Sequence, residues 1–244
     1  AVYDLPIVVT GITQASPGVV TAPAHGLANG NQVVFRALKG MGQLNYNRYT
    51  IKNVAANTFE LTDSDGNDID TTGFDAYVSG GTVRKLVTTI SGLTWLEGET
   101  VSILADGGVV DPQVVVGGAI TLPRPSATVH VGLPYVSELQ TLRQEAGSAN
   151  GTSIGKTRRI HKAYLMLHRS LGIKVGMKQD ALDTLDFRND SVDLNKAPAL
   201  FSGLIDFRPD ADYDTENQIF IRQDEPLPSK ILAITTQLQE QDNS

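Results

Sequence analysis

Between residues 7 and 62 the chain repeatedly runs a few β-branched or aromatic residues into a turn signal, a rhythm that suits short strands and leaves no room for a long helix. IVVTGI (7–12) and GVVTA (18–22) flank Ser16-Pro17, and PAHGLANGN (23–31) is rich in residues that tolerate tight turns. QVVFRAL (32–38), RYTIKNV (48–54) and TFELT (58–62) follow at close spacing. Strands this short and this frequent predict a small barrel or sandwich. Asp65-Gly66 suits a hairpin turn of type I′, in which both central residues need positive φ.

The rhythm changes after Val87 but stays β. TVSILA (100–105) leads to Asp106-Gly107, and QVVV (113–116) meets AITL (119–122) across Gly117-Gly118, a two-residue hairpin signal. ATVHVGL (127–133) continues the series. Residues 137–157 read as a polar, Gly- and Ser-rich loop or a flexible arm, with one helical turn near Glu138–Arg143. In RRIHKAYLMLHRSLGIKVG (158–176), Ala163, Leu165 and Leu167 point one way while Lys162, Tyr164 and Met166 point the other, which predicts a long strand. An acidic, Pro-punctuated stretch (180–217) precedes two closing strands, QIFIRQD (218–224) and KILAITTQL (230–238). The tail 239–244 is expected to fray. Ala1 lies inside a strand-like run, so residues are expected upstream of it.

With no cysteine in 244 residues, disulfides, thiolate metal sites and thiol nucleophiles are all excluded. No stretch approaches the roughly 20 apolar residues of a spanning helix, and no membrane span is expected. The net charge of −7 is unevenly spread: 151–178 hold seven bases and no acid, whereas 179–244 hold five bases and fourteen acids. A basic block beside an acidic one invites pairing, within a subunit or between neighbours.

Two sets of motifs carry family resemblances. VTAPAHGLANGNQVVF (20–35), GMGQLNYNRYTI (40–51), ANTFELTDSDG (56–66) and DTTGFDAYVSGGTVRK (70–85) resemble a small β module of phage tail and virion proteins, labelled after the first catalytic cysteine half-domain of ubiquitin-activating enzymes. The enzymatic label does not transfer, since a thioester needs a cysteine. GLTWLEGETVSILADG (92–107), LPRPSATVHVGLPY (122–135), RRIHKAYLMLHRSLGIKVG and IRQDEPLPSKILAI (221–234) are similar, in the same order, to the C-terminal half of nozzle or stabilisation proteins of short-tailed phages. That resemblance implies a small β module inserted between strands of a larger domain. The expected fold is therefore all-β: a small barrel-like module (6–85) inserted in or preceding a larger antiparallel sandwich-like domain (86–238), which residues 1–5 join.

Motifs that hint at chemistry each meet a simpler reading. ANGTSIGKT (149–157) ends like a phosphate loop, but Asn150 occupies the first required Gly and a strand-like run follows where a helix is needed. DSDGNDID (63–70) is dense in carboxylates, yet Asp68 and Phe74 stand where an EF-hand needs Gly and a carboxylate, so a solvated turn is preferred. His161 and His168, seven apart, fall on opposite faces of a strand, and His25 and His130 have no ligand spacing around them, so no metal is expected. Glu97 and Glu99 on one strand face could serve a glycosidase, but no second acid pair or aromatic subsite accompanies them, so a strand edge or subunit contact is preferred.

The basic residues Lys156, Arg158, Arg159, Lys162, Arg169, Lys174 and Lys178 admit three roles. They suit DNA phosphate, a solvated strand edge, or pairing with the acidic 180–225 region of a neighbouring subunit. Together with the resemblance, these readings imply a structural subunit of a virion tail, without enzymatic activity or cofactor. The resemblance further implies a homo-oligomeric ring, six-fold by analogy, that meets other tail or head-tail connector proteins and lines a channel for transient passage of DNA. The alternative is a receptor- or carbohydrate-binding module at the tail tip, using Trp95, Tyr135 and Tyr77.

Overall fold

The computed structural model describes residues 1–144, 147–148, 151–152, 156–187, 197–209 and 213–240, and the expectations for the phosphate-loop-like residues 149–150 and 153–155 and for the tail beyond 240 lie outside them. The protein is all-β, with antiparallel sheets and, among the described residues, two single-turn 3₁₀ helices, Gly42–Leu44 and Thr94–Leu96. It forms two compact units, Ala1–Asp106 with Val110–Gly132, and Gly107–Val109 with Leu133–Ser244. The region 86–238, expected as one domain, divides between them at Gly132–Leu133, because strands before and after that point surround different cores.

In the first unit, β1 (Val2–Asp4) enters and a seven-stranded sheet follows. Its strands are β2 (Pro6–Val8), β3 (Gly11–Ile12), β4 (Val19–Thr21), β5 (Gln32–Arg36), β6 (Arg48–Lys52), β7 (Thr58–Thr62) and β8 (Thr82–Lys85), in spatial order β2-β8-β5-β6-β7-β4-β3. Alternation buries Val33, Phe35, Ile51, Phe59 and Leu61 on one face, closed over by Met41 and Leu44 from the first 3₁₀ turn. The sheet curls until its two edges are covalent neighbours. Val9, buried, and Thr10 turn the chain from β2, paired with β8, to β3, paired with β4. No ladder joins β2 to β3, so the expected barrel is an open one. Asp65-Gly66 does lie in the turn after β7, but only Gly66 has positive φ (88°), so the turn is not type I′. Asp63 closes it instead, accepting from the Asp65 and Asn67 backbone N–H groups at 2.9 and 2.8 Å.

The chain leaves the curled sheet through β9 (Val87–Ser91) and continues with β10 (Thr100–Ala105), β11 (Gly108–Val114), β12 (Ala119–Ser126) and β13 (Thr128–Gly132). A four-stranded sheet β1-β13-β10-β11 and the pair β12-β9 share one core, including Ile90, Ile103, Ile120 and Val129. Tyr3 from β1 and Val87 from β9 pack against that same core, so the segments before and after the curled sheet meet in one layer pair. Gly117 (φ 62°) and Gly118 (φ 67°) turn β11 into β12, with Val116 and Ala119 exchanging N–H···O bonds of 3.1 and 3.2 Å, the two-residue hairpin that the Gly-Gly pair predicts.

The second unit comprises β14 (Ser137–Gln140), β15 (Gly147–Ser148), β16 (Gly151–Thr152), β17 (Arg158–Ser170), β18 (Lys174–Lys178), β19 (Ala181–Thr184), β20 (Phe201–Phe207), β21 (Phe220–Gln223) and β22 (Ile231–Glu240). Sheets β14-β21-β18-β19 and β20-β17-β22 enclose one core of a sandwich, built from Leu165, Leu167, Val175, Ile219 and Ile221 among others. The long strand is as the alternation predicts: Ala163, Leu165 and Leu167 are buried while Met166 is exposed. Two local expectations are overturned. Glu138 lies in a strand opposite Arg222, not in a helical turn, because β21 offers it a ladder. β22 runs on to Glu240 opposite Arg158, so residues 239–240 are held rather than frayed.

Buried Thr71 ties the loops of the curled sheet together. Its Oγ1 accepts from the Ala15 N–H at 3.1 Å and lies 2.7 Å from the Thr13 carbonyl and 2.9 Å from the Ala15 carbonyl. Thr71→Val keeps the shape and strands the Ala15 donor. It is expected to cost about 1–2 kcal/mol in a urea denaturation series, and an unchanged midpoint would show that this tie is dispensable.

Candidate functional site

Strand β17 carries four members of the basic block (Arg158, Arg159, Lys162 and Arg169), and its neighbours decide what each can do. Arg158 is fully buried. Its backbone exchanges two 2.8 Å bonds with Asp214 and its Nη1 donates to the Gln144 carbonyl, so it organises the interior and presents nothing to DNA or to a neighbour. Lys162 lies 2.9 Å from Asp206 on β20 and 4.8 Å from the ring centre of Tyr164. Lys174 lies 2.6 Å from Asp224. Both acidic partners come from the acidic half of the chain, so these lysines pair within the chain. Antiparallel packing of β17 against β20, and of β18 against β21, brings the two regions together. Lys156 and Arg159 are half-buried, while Arg169 and Lys178 are exposed.

Two irregularities of β17 set which side chains share a face. His161 is the extra residue between the pairs Ile160↔Leu238 and Lys162↔Gln237, and this bulge reverses the alternation. His161 and His168, expected on opposite faces, are therefore both exposed, separated along an extended strand by roughly 23 Å at ~3.3 Å per residue. Near the other end Arg169 adopts φ 49°, and its N–H donates to Ser202 Oγ at 2.9 Å. Among the described residues no group of three metal-ligating side chains gathers. His25 is buried, with Nδ1 accepting from the Leu27 N–H at 3.0 Å and its ring edge-on to Phe59. His130 stands exposed on β13.

The candidate acids resolve into structural roles. Glu97 and Glu99 do not share a strand face: Glu97 caps the 3₁₀ turn Thr94–Leu96, and Glu99 lies just before β10. The Glu97 carboxylate accepts from the N–H of Gly117 at 2.8 Å and of Gly118 at 2.6 Å, gripping the hairpin turn opposite. Asp63 likewise spends its oxygens on its own turn, and the Asn67 side chain and backbone N–H hold it below the usual carboxylate range.

The three aromatics belong to different places. The Tyr77 hydroxyl donates between the Val9 carbonyl at 2.9 Å and the Gly80 carbonyl at 3.0 Å, tying the bend of the curled sheet. Trp95 is 65% exposed, because Leu93 and Leu96 on either side are the ones buried. Tyr135, in the second unit, is 79% exposed. A cleft of about 250 Å³ in the second unit is lined by Leu182 and Phe220 and rimmed by Glu138, which Arg222 meets at 2.6 Å and Gln179 at 2.9 Å.

Sequence reasoning passes over one surface. FSGLIDF (201–207) sits in the stretch read as acidic and Pro-punctuated, yet it is β20, with alternate residues turned inward. The period-2 pattern of Phe201, Gly203, Ile205 and Phe207 is the signal that finds it. On the opposite side, Leu204, Met166 and Ala233 align across three strands, with Leu204 63% and Met166 48% exposed.

Residues 15–86 match the family described as the ubiquitin-activating enzyme E1 FCCH domain. The match covers most of the curled sheet and none of the second unit. No curated protein matches the chain. The module carries the half-domain's name without a cysteine, so no thioester can form on it.

Two predictions follow from these geometries. Glu97→Ala removes the acceptor for two hairpin amides and is expected to destabilise the protein by about 1–2 kcal/mol in denaturant titration, with Glu97→Gln in between; an Ala variant as stable as wild type refutes the grip. Lys162 holds Asp206 below the usual carboxylate range. A carboxylate depressed on folding adds stability above its unfolded value of about 3.9, and that stability is lost as pH falls through the folded value. Both side chains are partly exposed, so the effect is small. Over that acid range wild type should lose stability more steeply than Lys162→Gln, and parallel profiles would count against the pair.

Proposed function

We propose that the chain is a structural subunit of a phage virion tail, of the nozzle or tube-ring type, with no catalytic role. The observation that carries this reading is the pairing of an FCCH-type module at 15–86 with ordered motifs through residues 92–234 that resemble tail nozzle or stabilisation proteins. The uses found for the candidate chemical groups support it: Glu97, Asp63, Arg158, Lys162, Lys174 and Tyr77 all hold the fold. In this role the subunits form a homo-oligomeric ring in contact with other tail or head-tail connector proteins, and the acidic balance of the chain keeps DNA from adhering to the channel. A glycan- or receptor-binding role at the tail tip is the second reading, favoured by the exposure of Trp95 and Tyr135; Tyr77, tied by its hydroxyl, is not needed for it.

Immunogold labelling and mass spectrometry of purified particles test the choice. The tail reading expects the chain in virions at a fixed copy number, with label along the tail and no glycan-array signal that depends on Trp95. Particles lacking the chain would end the tail reading, and a glycan signal abolished by Trp95→Ala would replace the structural role with the binding one.

A further inference from the structure

The sheet β20-β17-β22 ends, among the described residues, in two unpaired edges. β22 is the more exposed to association. Its residues 231–239, ILAITTQLQ, contain no charge and no proline, whereas edge strands of proteins that stay apart are usually blunted by lysine, proline or brevity. Its one irregularity is the bulge at Leu232, which leaves that side chain 55% exposed.

The outer face of the sheet adds a second observation. Antiparallel partners share a face, so Leu204, Met166 and Ala233 form one apolar row that reaches both edges, with Leu232 beside it. The next row reads Asp206, Tyr164, Thr235. On the inner face the residues nearest each edge, Ile205 and Phe207 on β20 and Ile234 and Leu238 on β22, are only partly buried. Both edges are therefore incompletely covered on both faces, and they are so at matching heights.

β20 and β22 are each antiparallel to β17, so they run in the same direction. We infer that the occupant of these edges is a second copy of this chain, with β22 of one copy lying parallel to β20 of the next. Aligning Ala233 with Leu204 of the neighbouring copy continues the apolar row. The same register sets Thr235 beside Asp206, whose carboxylate can accept from the hydroxyl, and Ile234 beside Ile205. Because the contact uses two different edges it is heterologous, and such contacts close into rings when the rotation between copies permits. The inference deepens the ring-subunit reading and rests on it for biological context, but the pairing itself needs only the chain.

The absence of native cysteine makes the test clean. In one chain Leu204 and Ala233 flank β17, two strand spacings or roughly 10 Å apart, too far for a disulfide. Across the proposed contact they are one spacing apart, about 4.8 Å, within disulfide reach. A full-length chain carrying both Leu204→Cys and Ala233→Cys, oxidised and run without reductant, is expected to give a ladder of multimers, while each single variant stays at monomer size. Disulfide dimers from a single variant, or no ladder from the double, would overturn the pairing. Independently, Leu232→Lys with Thr235→Lys is expected to abolish wild-type self-association in light scattering while the circular dichroism spectrum and thermal midpoint hold; association that survives these lysines would overturn it too. A ladder from a chain that is absent from virions keeps the pairing and removes the tail reading, and a chain found in the tail that gives no ladder does the reverse.

Discussion

The first unit depends on how a seven-stranded sheet is tied to the strands it interrupts. Chain enters at Asp4 and leaves at Arg84, and the Arg84 guanidinium meets the Asp4 carboxylate at 2.6 Å, half out of solvent. Beside that pair, Val34, Leu86 and Ala127 form a small separate apolar cluster. Asp106 accepts from the Ala127 and Thr128 N–H groups and from Arg36 of the curled sheet. Entry, exit and host are thus held by short-range contacts where β1 lies beside β13 and β9 beside β12 around a common core.

What could be read in advance was whatever depends on local chemistry. Gly117-Gly118 makes its hairpin because two positive φ values are cheap there. Ala163, Leu165 and Leu167 point inward because a strand has period 2. The misses have a shared cause: they hinge on a partner distant in sequence. Glu97 is a turn anchor because Gly118 comes within 2.6 Å of it, twenty-one positions away. Arg158 is buried because Asp214 and Gln144 receive it. One added residue at His161 shifts the alternation after it out of phase with the alternation before it, and a bulge leaves no mark in composition. The strand Phe201–Phe207 was hidden by charge and proline around it, though its own alternation is plain.

The FCCH-type match illustrates how far a fold can travel from the chemistry in its label. The curled sheet keeps its core from Val9, Phe35, Phe59 and their neighbours, none of which is a reactive group. What persists is a compact body whose two ends leave by adjacent antiparallel strands, a shape that can be set into a host sheet without disturbing it. The charge asymmetry of the chain has a comparable resolution. Opposite-sign segments meet across β17 and β20 and across β18 and β21, so part of the imbalance seen in sequence is cancelled inside one sandwich.

The adjacency of β2 and β8 also has a mechanical meaning. Tension applied between the host strands on either side of the curled sheet would pull Pro6 and Arg84, which are register partners, directly apart. That geometry loads hydrogen bonds one at a time, as a zipper, and not many at once in shear. The Asp4–Arg84 ion pair stands just outside the first tooth. Whatever resistance the inserted body offers to stretching is therefore set at its neck, by one salt bridge and the few residues packed beneath it, and not by the large core it encloses.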